Sequence, residues 1–131
     1  MEAAGRDFHW LADSVEILEA PLDDAWMRDI GPTFVVGPDG SQAGVDWVFN
    51  GWGAQSWATW EHDARVGAFV AGLAGAEVID SPLVNEGGGI HVDGRGTVLL
   101  TETVQLDPGR NPGLTRADVE AELARTIGAT A

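Results

Sequence analysis

Hydrophobic and polar positions change period several times along the chain. In "SVEILEA" (14–20) they alternate, which is the pattern of a half-buried strand. "GPTFVVG" (31–37) predicts a second strand, closed by the turn "PDG" at 38–40. "AGVDWVFN" (43–50) predicts a third, rich in β-branched and aromatic residues, and "NGWG" punctuates it. The period then lengthens. Across "WEHDARVGAFVAGLAGA" (60–76), Val66, Phe69, Val70 and Leu73 share one helical face, and Gly75 is placed to end the helix. The same order then begins again. "EVIDSPLV" and "GGGIHVD" read as strands, "GRG" as a turn and "TVLLTET" as a strand. "LTRADVEAELARTIGA" predicts a helix that Thr115 opens, with Asp118 three residues on in a capping-box arrangement and Gly128 at its end.

The two halves superimpose as sequence. Asp29 falls on Glu86, Gly31 on Gly88, Val35 on Val92 and Gly37 on Gly94 at an offset of 57. In the helices Val66 falls on Val119, Val70 on Leu123 and Gly75 on Gly128 at an offset of 53. The loop around "NGWGAQS" is expected to absorb the four-residue change. The reading is α/β: a β-β-β-α module occurring twice, at about 14–76 and 77–129, within one partial domain spanning 1–131. Equivalent positions of such modules face one centre. Asp29 and Glu86, each just before an equivalent strand, are therefore expected to share a pocket and to want a cation there.

Composition narrows the function. The 131 residues hold 7 basic and 21 acidic side chains, a net charge of -14. That balance argues against nucleic acid, whose binding needs Lys and Arg against phosphate, and against anionic membrane surfaces. There is no Cys, so the chain has no disulfide, no zinc-thiolate site and no thiol nucleophile. "MEAAGRDFHWLADS" lacks the basic-then-apolar order of a signal peptide, and no run approaches membrane-spanning length. A cytoplasmic protein is expected.

Candidate chemistry centres on "LDDAWMRDIGPTF" (22–34). A guanidinium is flat and rich in N–H donors, and it favours a carboxylate together with an aromatic face. Asp29 and Trp26 supply that pair. The plainer alternative is that Asp29 pairs with Arg28 or Arg110 and that Trp26 is core. Trp47, Trp52, Trp57 and Trp60 read as core or module-contact residues. His91 and Asp93 share a strand face, yet a lone H-x-D before a Gly turn is most simply a strand end. No third ligand stands at a convincing spacing, so no metal and no cofactor are expected. Ser41, Ser56 and Ser81 lack a nucleophile elbow. "EGGG" and "DGRG" are neither P-loop nor dinucleotide fingerprint.

"DDAWMRDIGPTFVV", "DWVFNGWG" and "NEGGGIHVDGRGTVLLTETVQLDPGRNP" resemble the agmatine deiminases, relatives of the bacterial peptidylarginine deiminases. The likeness runs from about Val15 to Ile127. It implies a pentein-like α/β propeller of five modules, of which this chain supplies about two and is incomplete. It implies hydrolysis of a guanidinium, with agmatine and water giving N-carbamoylputrescine and ammonia. By position, Asp29 would grip the guanidinium, Trp26 would line the pocket, and Glu86 would face the amine end. The family's catalytic His lies in a later "GHxDN"-type segment and its nucleophilic Cys in an "IHC"-type segment, and neither is present. His91 belongs to the earlier motif. The chain is therefore expected to hold part of a substrate site, to be inactive alone, and to associate through uncovered module faces. The alternatives are a non-catalytic cation-binding or assembly module, or a peptidylarginine-type substrate.

Overall fold

A computed structural model describes residues 15–131. The elements in chain order are α1 (Met27–Ile30), β1 (Thr33–Val36), β2 (Gln42–Val48), α2 (Val66–Leu73) and β3 (Glu77–Val84). They continue with β4 (Ile90–Val92), β5 (Val98–Leu100), α3 (Glu102–Gln105) and α4 (Arg116–Ile127). Short 3-10 turns at Asp63–Arg65 and Gly87–Gly89 precede α2 and β4.

β1, β2 and β3 form one sheet in that order, with β1 antiparallel and β3 parallel to β2. β4 and β5 form a separate antiparallel pair. The strand at 77–84 thus completes the first sheet, and the unit that folds is β-β-α-β. The alternating run predicted at 14–20 pairs with nothing over 15–20, and Ser14 lies outside the described residues. An apolar alternation makes a strand only where an edge is available to receive it.

The hairpins place the length difference between the halves. Val35 pairs with Ala43, eight residues on, whereas Val92 pairs with Val98, six residues on. Two of the four extra residues therefore sit in the first hairpin turn, and "NGWGAQS" is not the sole absorber.

Val45, Trp47 and Leu83 from the sheet bury against Val119 and Leu123 of α4. α4 begins with the capping box predicted: the Thr115 hydroxyl accepts from the Asp118 N–H while Asp118 accepts from the Thr115 N–H. It ends at Gly128 in the left-handed region. A second cluster joins Ile30, Phe49 and Val66, flanked by Trp52, Trp60 and Val70.

The buried face of α2 differs from the one predicted. Val66, Gly67 and Ala71 are buried, while Phe69 and Leu73 are exposed. Small residues explain the rotation. A Cβ on Gly44 of β2 would lie 2.8 Å from the Ala71 Cβ, and one on Gly67 would meet the Asp46 carboxylate at 2.0 Å. Close approach of helix to sheet here outweighs burial of two larger side chains.

Asp46 and Asp80 sit directly opposite on β2 and β3. Burial, then the Asp80 charge, push the Asp46 carboxyl above its usual range, against a hydrogen bond from the Ala68 N–H. A carboxyl raised on folding favours the folded state at low pH. That contribution is lost as the pH rises through the folded-state value.

Two measurements test this packing. Gly44→Ala should lose about 1–3 kcal/mol by overpacking, whereas Gly72→Ala, where the added methyl meets open space, should gain roughly 0.5–1 kcal/mol. Urea melts of both variants read the two signs. Asp46→Asn should raise the neutral-pH melting midpoint, by the roughly 0.2–1 kcal/mol that facing like charges cost. It should also flatten the loss of stability between acid and neutral pH. An unchanged pH profile would remove Asp46 from the explanation.

Candidate guanidinium-binding site

The three aspartates of 23–29 have separate duties. Asp63, 1% exposed, accepts from the Asp23 and Asp24 N–H groups at 2.9 and 3.1 Å. Asp23 returns the contact by accepting from the His62 N–H at 2.7 Å and the Asp63 N–H at 3.3 Å. Asp24 accepts from the Trp26 indole N–H at 2.9 Å. This reciprocal clamp fixes the loop ahead of α1. Asp29, inside α1, is left for the site.

Asp29 receives a neutral donor. The Trp52 indole N–H reaches Asp29 Oδ2 at 3.1 Å, and among the described residues no Lys or Arg pairs with it. Trp26, the other residue predicted for the pocket, is 57% exposed and stands edge-on to Trp52, ring centres 6.5 Å apart. Trp57 stacks on Trp52 at 5.4 Å and is itself exposed, and Phe49 meets Trp52 edge-on from the core side. The carboxylate thus sits beside an accessible aromatic cluster.

Trp52 and Trp57, read from sequence as core or module-contact residues, stand instead beside Asp29, and Trp57 is exposed. Trp52 is presented by a left-handed turn in which Gly51, Trp52, Gly53 and Ala54 all have positive φ. A bulky residue there is strained and needs surroundings that hold it. Asn50 supplies them. Its side chain accepts from the Gly53 N–H and donates to the Gly109 carbonyl, both at 2.9 Å. The signal was a Trp between two glycines behind an Asn, which marks a turn rather than core.

Glu86 is 3% exposed, and its carboxylate is taken by Arg110, whose Nε lies 2.9 and 3.3 Å from the two oxygens. Arg110 therefore serves Glu86 and not Asp29. The loop bearing Arg110 is pinned to the end of β3 through Asn111. That side chain accepts from the Val84 N–H and donates to the Val84 and Gln105 carbonyls. Burial pushes the Glu86 carboxyl above its usual range. The Arg110 hydrogen bond and charge pull it back, and the Asp29 charge pushes it up again. The two carboxylates are thus near enough to feel each other.

The glycines between them let them approach. A Cβ on Gly88 would stand 2.3 Å from Asp29 Oδ1, and one on Gly87 2.4 Å from the Arg28 carbonyl. His91 and Asp93 form no dyad. Asp93 turns back to accept from the Arg95 and Thr97 N–H groups at 2.7 and 3.1 Å. Among the described residues no cluster of three or more His, Asp or Glu side chains could hold a metal, and no helix is long and apolar enough to cross a membrane.

The sheets, helices and paired acidic turns define a pentein-like α/β unit. Residues 1–131 match the Porphyromonas-type peptidyl-arginine deiminase family, and the chain belongs to it. A Streptomyces coelicolor protein provisionally named an agmatine deiminase is 65% identical over 120 residues, covering 92% of this chain and 35% of its own length. The solved agmatine deiminase of Enterococcus faecalis superimposes with a TM-score of 0.89 at 34% identity, over 98% of this chain and 36% of that one. A substrate-bound agmatine deiminase variant of C. jejuni does so with a TM-score of 0.77 at 26% identity, over 90% and 35%. The chain spans about a third of the length of the relatives it matches.

Arg110→Gln tests the buried pair. At pH 7 it should cost about 3 kcal/mol or more, because it strands a buried carboxylate. Glu86 has a raised folded-state value, so the cost is absent at low pH and grows as the pH rises through that value. Urea melts beside the parent at pH 4 and pH 7 read this, and an equal deficit at both would assign the loss to packing alone.

Proposed function

We infer that this chain carries part of the substrate site of an agmatine deiminase-type hydrolase. Such an enzyme hydrolyses a guanidinium C–N bond: agmatine and water give N-carbamoylputrescine and ammonia. The observation carrying the reading is Asp29, a carboxylate held by an indole N–H beside exposed Trp rings and without a cationic partner among the described residues. A guanidinium N–H edge would complete it with charge-assisted hydrogen bonds, each contributing roughly 1.5–3 kcal/mol. Trp26 would cover one face of the planar cation, for about 0.5–2 kcal/mol. Fixing the guanidinium in one plane exposes its central carbon along a single direction of attack.

Glu86 acts from behind. Its oxygens are engaged and its charge balanced by Arg110, so in this reading it lies toward the amine end of the substrate without a direct grip. The chain contains no Cys, so it supplies orientation and not the attacking thiolate, and by itself it should not turn over. A peptide-linked arginine would use the same seat. The family description and the Arg110 charge beside Glu86 keep that substrate as the second reading.

Titration of the chain with agmatine should quench Trp fluorescence, and Asp29→Asn should weaken the response about tenfold or more, as expected for loss of a charge-assisted bond. Putrescine, which has amines but no guanidinium, should bind far more weakly at the same ionic strength. Equal responses to both would leave a general cation site in place of a guanidinium site. A blocked arginine amide binding better than agmatine would favour the peptidyl substrate.

A further inference from the structure

Three side-chain amides lie buried behind Glu86. Asn85 directly precedes it, Gln105 ends α3, and Asn111 stands in the loop beyond. Asn111 is fully used. Its NH2 group donates to the Val84 and Gln105 carbonyls, and its oxygen accepts from the Val84 N–H. The other two are used by half. Asn85 is 0% and Gln105 1% exposed. They share one hydrogen bond, from Gln105 Nε2 to Asn85 Oδ1 at 2.7 Å. Asn85 Nδ2 and Gln105 Oε1 have no hydrogen-bond partner among the described residues.

Which end of each amide is oxygen does not change that count. Exchanging oxygen and nitrogen in both keeps the shared bond, now donated by Asn85, and again leaves one NH2 group and one carbonyl unpaired. Exchanging them in one amide alone sets like atoms 2.7 Å apart. The pair therefore presents a donor and an acceptor together in either consistent arrangement. Leaving them bare in the interior is costly. A cation would satisfy only the carbonyl, an anion only the NH2 group, and an apolar group neither. The occupant must be neutral and small, and must donate and accept at once. Water has that chemistry.

We propose that the Asn85–Gln105 pair is a binding site for an internal water. The water accepts from the unpaired NH2 group of one amide and donates to the unpaired carbonyl of the other. The amides are already bonded to each other, so one small molecule closes both. Gly89 borders the pair without a side chain: a Cβ there would stand 3.3 Å from Asn85 Oδ1 and 3.7 Å from Glu86 Oε2. The completed network ties α3 to the end of β3, one residue ahead of Glu86. It does not depend on what Asp29 binds.

Water-selective NMR on the isotope-labelled chain tests this. The assigned side-chain NH2 protons of Asn85 and Gln105 should show cross-peaks to water whose sign is opposite in the laboratory-frame and rotating-frame experiments. That is the mark of a held water, whereas proton exchange with solvent gives the same sign in both. Gln105→Met keeps the volume and removes one of the two amides. It should abolish the Asn85 cross-peak and remove roughly one long-lived water from the relaxation dispersion of the solvent signal. Cross-peaks of one sign only, or none at either NH2 group, would overturn the proposal, and the parent chain alone decides that. So would a relaxation dispersion left unchanged by a folded Gln105→Met.

Discussion

The two repeats meet where no side chain fits. Gly87 and Gly88 lie against the Arg28 carbonyl and the Asp29 carboxylate, at separations that a Cβ would violate. That contact sets the separation of α1 from the turn before β4, and so the separation of Asp29 from Glu86. Two carboxylates brought together raise each other's cost of ionisation. The structure resolves the conflict unequally. Glu86 is buried and given an arginine, while Asp29 is given only an indole N–H. One acid is neutralised by its own chain and the other keeps its charge available.

The segments that present Asp29 are held by short polar ties as well as by the burial of Ile30 and Phe49. Asn50 couples the left-handed turn to the loop at Gly109, and Asn111 couples that loop to β3. Asp23 and Asp63 couple the strand-less segment before α1 to the turn before α2. The Asn50 tie holds Trp52, whose backbone is strained and whose ring packs with Trp26, Trp57 and Phe49. Strain at Trp52 and Ala54 persists because the surrounding structure holds the turn.

Much of the fold was legible because local signals agreed with tertiary ones. The box at Thr115 and Asp118, the left-handed Gly128, and the runs at 31–37, 43–50 and 77–84 each act within a few residues. What failed depends on partners that a sequence does not show. The run at 14–20 alternates like a strand, yet no edge receives residues 15–20. The face of α2 was misread because Phe69 and Leu73 outweigh Gly67 and Ala71 in hydrophobicity but not in closeness of fit. At the site, Asp29 and Trp26 were picked out as an acid beside an aromatic residue, and the structure sets both against Trp52. The engagement of Glu86 was not legible, because Arg110 reaches it from 24 residues away.

The clamp and the capped turns also give the chain's acidity a use. Asp23, Asp24, Asp39, Asp63, Asp93, Asp107 and Asp118 all accept backbone N–H groups in loops or at a helix start. These bonds are local and short, but the charges that make them are felt beyond the surface. Seven ties made with aspartate, rather than with serine or asparagine, leave a negative field over the molecule. Its reach is set by ionic strength, at about 8 Å under physiological salt. The groups that keep the loops in shape therefore also govern how quickly a positively charged molecule meets the surface. How long it stays is a separate matter, which under the proposed function falls to Asp29.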